Sequence, residues 1–84
     1  MIRVKAYGHI GRALGRTEIG IDKDEIRIKD LLDLIASSSE GRFTPSLLTM
    51  LATVNGVEIS ALDREDTIVK SGEEVILIPV THGG

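Results

Sequence analysis

A chain of 84 residues with a formal charge of −3 is long enough for one domain and no more, and a domain of that size buries about 60–65% of its unfolded surface. The absence of cysteine excludes a disulfide scaffold, a thiolate metal site and a cysteine nucleophile, and it suits a reducing cytoplasm. The 10 lysines and arginines are scattered without a basic stripe, which argues against a nucleic-acid partner. The opening Met1–Lys5 has no apolar run fit for a signal peptide or membrane span.

The hydrophobic share of 42%, with Tyr7 and Phe43 as the sole aromatics, predicts one aliphatic core. From Ile2 to Tyr7 the chain alternates, with Ile2, Val4 and Ala6 on one face, and predicts a strand with one buried side. Gly8, Gly11 and Gly15 read as a reversing loop. Their spacing could also suggest a phosphate cradle, but no Gly-Lys-Ser/Thr follows, so a turn is the better reading. Residues Thr17 to Asp22 alternate again as the second strand of a hairpin, with Ile19 and Ile21 apolar. From Ile28 to Ser39 the period changes: Ile28, Leu31, Leu32 and Ile35 form a helical stripe. Asp30 lies in the first turn, where the helix dipole favours an anion. Arg27 falls at the N-cap, where a Ser or Thr would cap better by about 1 kcal/mol. Ser37-Ser38-Ser39 and Gly41 read as a frayed end and C-cap.

Residues 42–50 fit no single pattern. Ala52-Thr53-Val54 and Val57-Glu58-Ile59 flank Asn55-Gly56, the strongest hairpin signal in the chain. Asp63 to Gly72 is polar and ends in a turn. The run from Glu74 to Val80 is β-branched and suits a strand inside a sheet, with regular pairing expected to stop at Pro79, which lacks a donor. The predicted core is Ile2, Val4, Ile19, Leu31, Leu32, Ile35, Val54, Val75 and Leu77. The expected class is therefore α+β, a mixed sheet of four to five strands on one main helix in the β-grasp arrangement of ubiquitin. It divides into a domain over 1–80 and a flexible Gly-Gly tail over 81–84.

Over essentially its whole length the sequence resembles the MoaD/ThiS family of ubiquitin-like sulfur carriers. The matching pieces are Ile2–Tyr7, Ile28-Lys29-Asp30-Leu31-Leu32, Val54-Asn55-Gly56-Val57-Glu58 and Gly72–Pro79, followed by Gly83-Gly84. The resemblance implies a carrier rather than an enzyme. Gly84 would be adenylated by an activating adenylyltransferase that uses ATP, then converted to a thiocarboxylate, with Gly83 letting the tail thread a narrow channel. The MoaD branch implies the small subunit of molybdopterin synthase, with the large subunit as partner. Other branches imply sulfur for thiamine or tRNA, or a modifier joined to lysines through Gly84. Only Pro79 stands where MoaD-like tails often carry two prolines, and Thr81-His82-Gly83-Gly84 is similar to the ubiquitin-related modifier.

Ile76 and Ile78 alternate with Val75 and Leu77, so they point away from the core. With Val80, Thr81 and His82 they form the expected partner-binding surface, next to the tail. His82 has no second ligand near it in sequence and reads as a solvated tail residue, so no metal site is expected. His9 reads as a loop residue. Asp63, Glu65, Asp66, Glu73 and Glu74 read as a solvated acidic rim. No cofactor is expected to be held stably, and the free chain is expected to be a cytoplasmic monomer with no membrane contact.

Overall fold

Alternation in the first segment does what period two requires: Ile2, Val4 and Ala6 are buried while Arg3 stays exposed. A computed structural model describes residues 1–80; the expectations for Thr81, His82, Gly83 and Gly84 lie outside the described residues. In chain order the elements are β1 (Ile2–Ala6), α1 (Gly8–Leu14), β2 (Glu18–Ile21), β3 (Glu25–Arg27), α2 (Ile28–Ser38), β4 (Met50–Val54), β5 (Val57–Glu58), β6 (Ile68–Lys70) and β7 (Glu74–Pro79). Two short 3-10 turns, Ile59–Ala61 and Arg64–Asp66, lie between β5 and β6.

Five strands form one mixed sheet in the order β2-β1-β7-β4-β5. β1 and β7 run parallel, with Val4 beside Val75 and Ala6 beside Leu77. Every other neighbour in this sheet is antiparallel. Parallel neighbours need a crossover, and the chain between β1 and β7 supplies it together with α2. That helix buries Ile28, Leu31, Leu32 and Ile35 against the sheet's inner row of Ile2, Val4, Ala52, Val54, Val75 and Leu77.

The N-terminus of α2 has no side-chain cap at Arg27, as the sequence predicts. Its first amide is satisfied at long range instead: the Ile28 N–H donates to the Thr67 carbonyl at 2.9 Å. At the other end the fraying expectation is overturned. Ser39 is buried; its hydroxyl donates to the Ala36 carbonyl at 2.8 Å and accepts the Phe43 N–H at 3.0 Å. A buried hydroxyl needs such partners, and here they bend residues 42–50 so that Phe43 and Met50 enter the core.

The glycine loop is also corrected. Gly8–Leu14 is a short helix that buries Ile10 and half-buries Ala13 and Leu14, and His9 is exposed on it. A Cβ on Gly11 would stand 2.7 Å from the Ala6 carbonyl oxygen, so glycine there permits the helix to lie against β1. The two-stranded ribbon of β3 with β6, Ile26 beside Val69, is absent from the sequence expectation too. Ile19 is half-buried rather than core, because β2 is an edge strand. The hairpin at Asn55-Gly56 is as expected, with both residues at positive φ (49° and 84°).

Candidate functional site

Strand β7 sits at the centre of the sheet, and alternation divides its side chains between two faces. Val75 and Leu77 are buried under α2, whereas Ile76 is half-buried and Ile78 exposed on the opposite face. The register sets Leu51 beside Ile78, and both Thr53 and Lys5 beside Ile76. Tyr7 follows Lys5 on the same face, its N–H donating to the Leu77 carbonyl at 3.0 Å. The result is an open apolar patch of Tyr7, Leu51, Ile76 and Ile78, with Val80 half-buried at its end. Leu51 and Tyr7 are 41% and 49% exposed, so neither is in its place for packing alone. A small domain seldom leaves a contiguous patch of this kind uncovered without a use.

Charge borders the patch on the β1 side. Glu74 lies between Arg3 at 3.9 Å and Lys5 at 3.5 Å; at this exposure such pairs orient more than they stabilise. Thr53 adds an anomaly beside Ile76: among the described residues its buried Oγ1 has no hydrogen-bond partner. The clearest shift of a titratable group is remote from the patch. The Glu58 carboxyl is held below its ordinary value by the Ser60 hydroxyl and then by the Ser60 N–H.

The exit of β7 departs from expectation in a useful way. Pairing continues past Pro79, since the Val80 N–H donates to the Thr49 carbonyl at 3.0 Å. In an antiparallel ladder, amides alternate between the two sides of a strand. With Val80 bonded toward β4, the donor that Pro79 lacks would face the other side, beyond the end of β1. There Gly8 leaves room: a Cβ on it would be 2.9 Å from the proline Cγ. The strand therefore tolerates Pro79 at no loss of a ladder bond, and its direction is held up to Val80.

Among the sequence-predicted site residues, Ile76 and Ile78 have the outward orientation expected, and Val80 follows half-buried at the end of the same strand. Sequence alone does not assign Tyr7 and Leu51 to the site; starting β4 two residues earlier would put Leu51 in phase with Thr53. Glu74 joins Arg3 and Lys5 at the patch border, whereas Asp66 pairs with Lys29 at 3.0 Å and Glu73 accepts the Asn55 side-chain amide at 3.0 Å. Among the described residues no group of three or more His, Asp or Glu is placed to hold a metal, and no helix is long and apolar enough to cross a membrane.

A mixed sheet with β1 and β7 parallel at its centre, crossed by one long helix, decides the architecture. The fold is a ubiquitin-like β-grasp. No family model matches the sequence, and no curated protein does. Solved structures do match the β-grasp chain. Small archaeal modifier protein 1 from Methanosarcina acetivorans superposes with a TM-score of 0.80 at 18% identity, covering 99% of this chain and 95% of that one. A chain of the BexX/CysO complex from Amycolatopsis orientalis gives 0.76 at 14% identity, covering 100% of both. A putative molybdopterin converting factor, subunit 1, from Pyrococcus furiosus gives 0.72 at 20% identity, covering 95% and 97%. At such identities the likeness is one of fold, and it spans each chain almost entirely.

Proposed function

We propose that this β-grasp chain is a sulfur carrier whose working group is the carboxylate of Gly84, as the terminal residue, with Gly83 providing the narrow approach. The observation that carries the proposal is the course of β7. This strand bears the outward Ile76 and Ile78 and is hydrogen-bonded as far as Val80, four residues before Gly84. A partner docked on the open face would thus lie beside the end of β7, from which the chain continues to Gly84. A carboxylate is a poor acyl donor. In the proposed reaction its oxygen attacks the α-phosphorus of ATP held by an adenylyltransferase and pyrophosphate leaves. Hydrosulfide then attacks the acyl carbon, the bond to the phosphate breaks and AMP leaves, which gives the terminal thiocarboxylate. The chain supplies binding and reach, and the partner supplies the catalytic groups and the nucleotide; Thr81 and His82 belong to the contacted segment.

The pathway proposed is that of the small subunit of molybdopterin synthase, in a cytoplasmic setting, supported by the likeness in fold to the protein named putative molybdopterin converting factor, subunit 1. A second reading, conjugation to lysines of other proteins through Gly84, draws support from the likeness to an archaeal modifier protein. Both begin with adenylation, which gives a common test. ATP–pyrophosphate exchange by the activating enzyme should depend on this chain and should vanish when one uncleaved alanine is added after Gly84. Undiminished exchange with the extended chain would reject the terminal carboxylate as the reacting group.

A further inference from the structure

A second surface lies on the other layer of the molecule, away from the face assigned to the activating partner. Between the edge strand β2 and helix α2 runs a groove of about 360 Å³, with Leu14, Ile19, Ile21 and Leu34 along it and Arg16 and Arg42 in its wall. Its floor is aliphatic, and Ile19 and Leu34 remain partly open to solvent. Among the described residues its charged lining consists of two arginines and no acid, although the chain as a whole carries a charge of −3. Neither Arg16 nor Arg42 joins an ion pair among the described residues. Arg42 donates through Nε to the Ser39 carbonyl at 2.8 Å, which anchors its stem and leaves its two terminal nitrogens free to point elsewhere.

Among the described residues the backbone beside the groove is unpaired on one side. β2 ends the sheet, with β1 as its one neighbour. The Ala6 N–H donates to the Thr17 carbonyl at 2.9 Å, and the register pairs Val4 with Ile19 and Ile2 with Ile21. Antiparallel pairs alternate between bonded and non-bonded. Thr17, Ile19 and Ile21 therefore bond inward, and Glu18 and Gly20 turn their N–H and C=O groups to the free edge. Both residues are exposed. An extended segment added there would bond to Glu18 and Gly20, and every second side chain would drop onto Ile19, Ile21 and Leu34.

We infer that the β2–α2 groove takes an extended segment of a partner protein, apolar at alternate positions and bordered by carboxylates that meet Arg16 and Arg42. Charge selects this occupant, since a guanidinium that joins no ion pair among the described residues favours a carboxylate over a neutral or basic group. The surface is independent of the open sheet face, so one molecule can hold its activating partner and a second protein together.

The test is an NMR titration of the whole chain with a short capped peptide that alternates valine and threonine and has an aspartate at each end. Saturable shifts centred on Arg16, Ile19, Leu34 and Arg42, with slowed hydrogen exchange at the Glu18 and Gly20 amides, are expected. Arg16→Ala should weaken binding about fivefold, and Leu34→Asp, at an exposed position, should abolish it with the thermal melt little changed. Either variant is unconnected with the proposed chemistry at Gly84, so adenylation should be as in the parent. Shifts confined to Leu51, Ile76 and Ile78 would overturn the inference. Equal affinity for a peptide with lysines in place of the aspartates would do the same. Protection of Glu18 and Gly20 on concentrating the protein alone would assign the edge to a second copy and so overturn it as well.

Discussion

Replacing Ile78 with Thr separates docking from folding on the open face. Full burial of an isoleucine side chain stabilises by about 1.5–3 kcal/mol. Ile78 is 37% exposed, so about two-thirds of that sum already contributes to the fold and about one-third is left for a partner. The variant should therefore lose about 1–2 kcal/mol of stability in urea unfolding. Its affinity for the activating enzyme should fall by a further two- to fivefold, corresponding to about 0.5–1 kcal/mol. Leu51, its cross-strand neighbour on β4 and 41% exposed, should behave alike on substitution by Thr, and both replacements place a β-branched residue in the strand. Affinity is measured by titration at a temperature where each variant is fully folded. A stability loss above about 4 kcal/mol, the size expected for a core site, would show the face to be covered. Unchanged affinity in both variants would remove it as the docking surface.

Three further outcomes follow from the packing. Leu77→Ala, at a fully buried position beneath α2, should cost about 2–5 kcal/mol in the same unfolding assay; a loss below about 1 kcal/mol would place β7 in the wrong register. Thr53→Val removes a buried hydroxyl that has no partner among the described residues, so stability should rise by about 1 kcal/mol, and a comparable loss would reveal a hydrogen bond there. The Glu58 carboxyl, lowered from 4.5 by the hydroxyl and N–H of Ser60, should titrate below that value in a carbon-detected NMR experiment and move back toward it in Ser60→Ala. Because the folded value is the lower one, its stabilising effect is complete above pH 4.5 and fades as the pH falls through the folded value; no movement in Ser60→Ala would contradict the assigned cause.

The elements legible in the sequence are those whose pattern and packing agree. Period two in Ile2–Ala6, the stripe of Ile28, Leu31, Leu32 and Ile35, and the positive-φ pair Asn55-Gly56 each specify locally what the sheet needs globally. The same alternation, read from residues alone, sets Ile76 and Ile78 on the open face. The short helix α1 is hidden because its glycines weaken helix propensity by about 1 kcal/mol each. They are there for close approach, to Ala6 at Gly11 and to Pro79 at Gly8, which a one-dimensional pattern does not show. Ile10, Ala13 and Leu14 do carry a helical spacing within that stretch. The β3–β6 ribbon is three residues long on each side, too short for a periodicity, and depends on pairing across the chain. Ser39 reads as fraying because a buried serine is recognised by its partners, Ala36 and Phe43, not by its neighbours in sequence. The ladder bond at Val80 escapes the sequence because the donor missing at Pro79 does not say toward which side of the strand it would have pointed.

The proposed chemistry changes one atom at the end of the chain, and intact-protein mass spectrometry of material from the native host reads that atom directly. The expected species ends at Gly84, and its mass exceeds that of the unmodified chain by the exchange of one oxygen for one sulfur. That excess should be lost on treatment that hydrolyses thiocarboxylates. A chain that ends at Gly84 and stays unmodified while the activating enzyme and a sulfur donor are present, or one that continues beyond Gly84, would contradict the carrier role.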